Sequence, residues 1–218
     1  EDARAIVKLA QSGSRVLQIG AGFIGCIIME ALAARGTQLS VVEMGDRMVP
    51  RMMTEKAGGM IRQWCEKQGV KVHTGAKVES LRAGSKAGEL IAKLSNGQAS
   101  VADLVICAAG VAPNIDFLKG SGIAAERGIL VDAAMQSSVP GIYAAGDVIE
   151  AVDFISGKRT LNAIQPNAAD QARIAAINMA GGQATLPGSL AINVLDTLGL
   201  ISASFGQWWG EAGGESVE

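Results

Sequence analysis

Apolar and polar positions change period several times over the first 110 residues, and each change marks an element. Arg15-Val-Leu-Gln-Ile19 reads as a short strand running into Gly20-Ala-Gly22-Phe-Ile-Gly25. Beyond it Ile24, Ile27, Ile28, Ala31 and Leu32 keep helical spacing up to Gly36, a natural left-handed stop. Leu39 to Val42 makes a second strand. Met53 to Gln68 spells another helix with Met53, Ala57, Met60, Ile61 and Trp64 as its apolar stripe. Gly58 and Gly59 inside it cost about 1 kcal/mol each relative to alanine, which predicts either close packing or a break there. Val70-Lys-Val-His-Thr74 alternates like a half-buried strand. Further runs follow at Val78 to Arg82, Glu89 to Leu94 and Ser100 to Ala108, and Asn96-Gly97 between the last two is the strongest short hairpin signal. The apolar stretch Leu104 to Gly110 closes the series. Ahead of all this, a polar helix is expected at the start of the chain, with Ile6, Leu9 and Ala10 on one side.

This order predicts an α/β protein: a βαβαβ wind, an antiparallel meander, then one more apolar strand. A meander at that point is informative, because a parallel sheet ordinarily needs a long crossover connection between neighbours.

The glycine turn carries candidate chemistry. Gly20 permits the tight bend, Gly22 leaves no side chain between the backbone and an approaching phosphate, and Gly25 lets the next helix pack closely on the strand. Ala21, Phe23 and Ile24 complete the turn, and the helix that follows aims its unpaired N–H groups and positive dipole end at the same place. Glu43 lies about twenty residues further on at a strand end, where a carboxylate accepts hydrogen bonds from ribose hydroxyls. With 28 glycines in the chain a chance match is conceivable. The ordered strand, turn, helix, second strand and terminal acid argue instead for a nicotinamide dinucleotide, with NAD favoured over NADP by the acid. Arg47 and Arg51 follow Glu43 and read as a solvated loop, since the carboxylate would repel a nearby 2′-phosphate.

Composition narrows the partners. The 218 residues are 49% hydrophobic, enough for a sizeable core in one large or two modest domains. A net charge of −2 with 18% charged residues offers no basic stripe for nucleic acid and no polybasic patch for a membrane. The apolar run from Ala191 to Ile201 is interrupted by Asn193 and Asp196 and is too short to span a bilayer. Cys26, Cys65 and Cys107 are far apart and read as apolar filler in helix, helix and buried strand, which suits a reducing cytoplasm. No cysteine–histidine cluster suggests a metal. The single histidine, His73, reads as an outward polar residue on a strand.

Three more segments carry a resemblance: Ala109-Gly110-Val-Ala-Pro113-Asn114, then Ser137-Ser-Val-Pro-Gly-Ile-Tyr143-Ala-Ala-Gly146-Asp147, then Asn162 to Gly181, ending in Asn178-Met-Ala-Gly181. Together with the glycine turn they make the chain resemble the FAD-dependent pyridine nucleotide-disulfide oxidoreductases, in particular the rubredoxin reductase, NADH oxidase and nitrite reductase flavin-module branch. The resemblance implies a Rossmann-like NAD-binding domain with a β-meander insertion over residues 1–112, and the second half of an FAD-binding domain over 113–186. The start of a third, interface domain would follow over 187–218. It implies that Gly110, Gly146 and Asp147 approach FAD, Asp147 accepting from a ribityl hydroxyl. The helix opened by Gln165, Pro166 and Asn167 would turn its N-terminus toward the flavin ring. One departure is Ile27, where many members carry an acid, the nearest here being Glu30. A second is that the family's first FAD segment, with its own glycine turn, and its His-Pro base are not in this sequence, so an internal portion of a longer enzyme is expected. The implied function is NADH-dependent reduction of FAD and onward transfer to an acceptor protein or small molecule. The competing reading is a non-catalytic NAD-binding module. Apolar surface left open in the FAD half predicts self-association or poor solubility, and a homo-oligomer is expected.

Overall fold

A computed structural model describes residues 2–210, 212–215 and 217. Glu1 of the expected first helix, and Glu211, Ser216 and Glu218 of the tail, lie outside the described residues. The chain divides into two compact units, Glu1–Gly110 with Val194–Ala203, and Val111–Asn193 with Ser204–Glu218. The first unit runs α1 (Asp2–Leu9), β1 (Arg15–Ile19), α2 (Phe23–Ala34), β2 (Gln38–Val42), α3 (Glu55–Lys67), β3 (Lys71–His73), β4 (Val78–Ala83), β5 (Leu90–Leu94), β6 (Ala99–Ala102) and β7 (Leu104–Cys107). The second carries β8 (Ile129–Leu130), β9 (Ile149–Val152), β10 (Arg159–Thr160) and α4 (Gln165–Met179), and a two-stranded hairpin of β11 (Ile192–Thr197) and β12 (Leu200–Phe205) follows.

In the first unit β1, β2, β3 and β7 form a parallel sheet in the order β3-β2-β1-β7, while β4, β5 and β6 form a separate antiparallel meander. Alternation along the strands explains the layering. Val16, Leu39, Val41, Val72 and Ile106 point to one side, into a core shared with Cys26, Met29 and Leu32 of α2 and Ile61 and Cys65 of α3. Leu17, Val42 and Val105 point to the other side and meet Ala92, Leu94 and Ala102 of the meander. Helices therefore cover one face of the sheet and the meander covers the other, which is the Rossmann-like plan with an inserted β layer.

Several sequence expectations are corrected in detail. The run Ser100 to Ala108 is two strands in two sheets, broken at Asp103, whose carboxylate accepts from the Arg15 backbone N–H (2.9 Å) and guanidinium. The exposed Arg15–Asp103 pair holds Asp103 down to about 2, chiefly through the side-chain hydrogen bond. Cys107 is exposed, because β7 ends there. Helix α3 starts at Glu55, capped by Thr54, whose hydroxyl accepts from Ala57 N. Met53 is buried in the preceding loop, and the inward stripe is Gly58, Ile61 and Cys65, leaving Met60 62% exposed. Gly58 is there for close packing: a Cβ would lie 2.6 Å from the Met48 carbonyl, and the helix is unbroken. On α2 the buried set is Gly25, Cys26, Met29 and Leu32, with Ile24 and Ile27 exposed. Leu9 of α1 is exposed as well, while Ala10 just after it is fully buried.

In the second unit β8 pairs parallel with β9, and β9 antiparallel with β10. Its core gathers Ile129, Val131, Met135 and Ile149 against Ile174 and Ala175 of α4. Glu150 is buried in the middle of β9 and is held by Arg127 N (2.6 Å), Gly128 N (2.9 Å) and the Arg127 guanidinium (3.3 Å). Burial pushes its carboxyl up, but those donors outweigh burial and the net displacement is downward. Because the folded value is depressed, Glu150 adds stability above the ordinary carboxylate range and loses it as pH falls through that range. Glu150→Gln is expected to lower the unfolding free energy by about 2 kcal/mol at neutral pH. Urea titrations of both proteins check this, the gap between them narrowing as the pH is lowered.

Candidate functional site

Parallel pairing fixes the site. Ile19 is in register with Val42 on one side and Cys107 on the other, so the carboxyl ends of β1, β2 and β7 finish at one edge. The chain winds outward from β1 to β2 and β3, then returns to β7 on the opposite side, so the crevice beside β1 is where strand order reverses. Gly20 sits there at φ +100, with its N–H on the Val42 carbonyl (2.8 Å), and a methyl at this position would overlap the Ala108 carbonyl. Gly25 is equally constrained: a Cβ would stand 2.5 Å from the Gly20 carbonyl and 2.9 Å from Gln18 Nε2. Gly22 differs from both. It is the N-cap of α2, extended at φ −77 and ψ −169, with no side-chain cap and nothing within 4 Å of where a Cβ would project. The first N–H groups of α2, at Phe23, Ile24 and Gly25, therefore open beside a vacant flank.

Glu43 follows β2 directly and is half-buried. One carboxylate oxygen accepts from Ala21 N and the other from Gly45 N, both at 2.7 Å. The acid thereby braces the glycine turn, and each oxygen keeps a second lone pair. The loop after Glu43 docks on the same turn through Val49 N to the Ala21 carbonyl (2.8 Å). Val49 pays for this with φ +46, a conformation rare for a β-branched residue. Arg47 is committed to the loop, with Nε on the Met53 carbonyl (3.0 Å) and Nη1 on Asp46 (2.8 Å), while Arg51 is exposed.

Sequence reasoning passed over Gln18. It is fully buried, its Nε2 donates to the Gly20 carbonyl at 2.9 Å, and its Oε1 has no partner among the described residues. A polar residue in the middle of an otherwise apolar strand was the available signal. The thiols of Cys26 and Cys65 are packing groups: burial pushes Cys26 up to about 12 and Cys65 up to about 11, far from thiolate formation at neutral pH. His73 is half-buried at the end of β3, and its carbonyl accepts from Glu43 N (2.8 Å).

The second unit presents its own group of expected residues. Gly146 turns at φ +85, and its N–H is held by Gln171 Oε1 (2.9 Å), itself buried and tied to Ser189 through Nε2 (2.9 Å). That leaves Asp147 exposed at the entrance to β9. Helix α4 begins with no side-chain cap, with Pro166 in its first turn and Gln165 exposed. Asn167 turns inward, donating to the Asn162 and Leu190 carbonyls and accepting from Leu190 N, so it fastens two loops under the helix start. Gly110 ends the first unit at φ +127 with open space around it. Among the described residues no group of three or more His, Cys, Asp or Glu is placed to hold a metal ion, and no helix is long and apolar enough to cross a membrane.

A four-stranded parallel sheet with a glycine turn, an open helix start and a strand-end acid at its switch point defines a Rossmann-like nucleotide fold. Residues 1–184 match the family described as pyridine nucleotide-disulphide oxidoreductase, and the chain belongs to that family. It is 35% identical over 187 residues to the NADH oxidase of Methanocaldococcus jannaschii, covering 84% of this chain and 41% of that protein. It is 32% identical over 136 residues to the rubredoxin-NAD(+) reductase of Acinetobacter baylyi, covering 62% of this chain and 35% of the relative. Among solved structures, the NAD-dependent persulfide reductase from A. fulgidus superposes with a TM-score of 0.86 at 30% identity, over 93% of this chain and 38% of that one. The chain thus spans about two fifths of the length of these relatives.

Proposed function

We propose that this chain is the nicotinamide-nucleotide-binding part, together with a portion of the FAD-binding part, of an NADH-dependent flavoprotein reductase. The observation that carries the reading is the conjunction at one sheet edge of the open flank of Gly22, the uncapped start of α2 and the spare lone pairs of Glu43. Backbone N–H groups at Phe23 to Gly25 would receive the pyrophosphate, and Glu43 the adenosine ribose. Ala21 and Gly20 hold the bend in shape. In this reading residues 1–112 bind the nicotinamide nucleotide, 113–186 contribute to the flavin site and 187–218 begin an interface domain.

The residues toward FAD fit the group as well. Asp147 is exposed beside a glycine that admits close approach, and the uncapped start of α4 offers a positive dipole end to the electron-rich side of a flavin. Asp147, Gly146 and Gln165 would meet it directly, and Asn167 would hold the helix start in place. A bound flavin supplies the capacity to take two electrons from a reduced nicotinamide and to release them singly or as a pair. What the protein adds is proximity and a fixed electrostatic setting. The names of the relatives point to different electron acceptors, a rubredoxin or a persulfide among them, and an acceptor of this general kind, protein or small molecule, is assigned here. A homo-oligomer in the cytoplasm completes the proposal.

Calorimetric titration of the purified chain with NADH and NADPH, alongside its visible spectrum with and without added FAD, tests it. Heat with NADH, weaker heat with NADPH and uptake of FAD are expected. A colourless protein that refuses FAD yet binds NADH would reduce the chain to a nucleotide-binding module. Silence with both coenzymes from folded material overturns the reading.

A further inference from the structure

A strand buried on both faces of a parallel sheet is ordinarily a continuous apolar run. On the meander side of this sheet the rule holds at Leu17, Val42 and Val105 and fails nearby. Pairing places Arg15 beside Gln38 and Ser40 beside Lys71, and alternation puts all four, with His73, on the face that carries Leu17 and Val42. The meander leaves this part of the sheet open, forming a cleft of about 820 Å³ floored by β2 and β3 and walled by the Gln98–Val101 segment.

The chemistry of that cleft is one-sided. No Asp or Glu lines it, whereas Arg15, Lys71 and His73 do. Arg15 is already neutralised by Asp103 and Glu89, so the available positive charge is that of Lys71, with His73 beside it. The side chains of Gln38, Ser40, Lys71, His73 and Ser100 have no hydrogen-bond or ion-pair partner among the described residues, and Ser40, His73 and Ser100 are half-buried nonetheless. Convergent donors without intramolecular partners, in a cleft of the size ordinary for small-molecule sites, are what an anionic ligand requires.

We propose that this cleft is a second binding site, separate from the glycine turn, for a phosphate-bearing small molecule of up to nucleotide size. Lys71, Ser40 and Ser100 contact the phosphate, and Gln38 and Gln98 contact the remainder. It lies on the face of the sheet opposite α2 and does not use Gly20, Gly22 or Gly25. The proposal stands whether or not the chain binds NADH.

The experiment is amide NMR of the whole chain titrated with inorganic phosphate and, separately, with AMP, each repeated with NADH present. Shifts centred on Ser40, Lys71, His73 and Ser100 are expected, persisting with NADH, with AMP binding more tightly than phosphate. Lys71→Glu should weaken AMP binding about tenfold or more, Lys71→Arg should retain it, and both should keep the parent's melting temperature and NADH affinity. Shifts confined to residues 20–25 and 43, loss of the shifts with NADH, or equal AMP affinity in Lys71→Glu would each overturn it. So would an absence of shifts with either probe, and AMP binding no tighter than phosphate would remove the claim to a nucleotide-sized ligand.

Discussion

Alanine at Gly22 is expected to leave the fold intact and weaken NADH binding by about a hundredfold, whereas alanine at Gly20 is expected to damage the fold itself. The two glycines lie two residues apart in one turn, yet their surroundings are opposite. Gly22 has an extended φ of −77 and nothing within 4 Å of a projected Cβ, so a methyl there costs the free protein almost nothing. In the proposed binding mode it would stand where the pyrophosphate approaches the start of α2, and overpacking of that kind costs about 1–3 kcal/mol. Gly20 combines φ +100 with a collision against the Ala108 carbonyl. Left-handed strain and overpacking together amount to about 4 kcal/mol, a large part of the stability of a typical domain. Gly25→Ala should behave like Gly20→Ala, since its methyl would meet the Gly20 carbonyl at 2.5 Å. Urea unfolding and an NADH titration on the three variants separate the roles. A Gly22→Ala protein that melts like the parent and binds NADH equally well would show that the flank of this turn does not carry a coenzyme.

The same turn shows why part of the architecture was legible beforehand. A glycine held at φ +100, or Gly97 at φ +84 in the Asn-Gly hairpin turn, answers a backbone demand that few other residues meet, so the residue type reports the geometry. The face of α2 was not legible in this way. Its sequence is apolar nearly all round, and what selects Gly25, Cys26, Met29 and Leu32 as the inner face is the approach of the helix to β1, not its own periodicity. The break at Asp103 was hidden because two strands of different sheets abut with one residue between them. In the second unit, Glu150 and Gln171 look like surface residues in sequence. They are buried because each satisfies backbone N–H groups that short strands and tight turns leave unpaired, a requirement set by residues more than twenty positions away.

Glu43→Gln should reduce NADH affinity about ten- to a hundredfold and erase most of the discrimination against NADPH. The carboxylate accepts from Ala21 N and Gly45 N, one on each oxygen. A carboxamide keeps one acceptor oxygen, and its NH₂ then faces a backbone donor, so the turn loses one of its two braces along with the charge. Both losses weaken NADH, whose ribose hydroxyls would donate to the same oxygens. For NADPH the balance differs, because at the proposed ribose site the native acid would repel the 2′-phosphate. A phosphate dianion about 5 Å from a carboxylate costs about 2 kcal/mol even at the dielectric of water, and more at a half-buried site. Removing the charge lifts that penalty while costing NADPH the same brace, so the two affinities converge from the NADH side. Arg47 does not complete the switch by itself, since its guanidinium is committed to Asp46 and the Met53 carbonyl. Adding Met44→Arg, at an exposed position beside the acid, should therefore carry the double variant past equality to a preference for NADPH. Parallel titrations of the parent, the single and the double variant measure the ratio at each stage. An unchanged NADH to NADPH ratio in Glu43→Gln, with the fold preserved, would remove Glu43 from the ribose site.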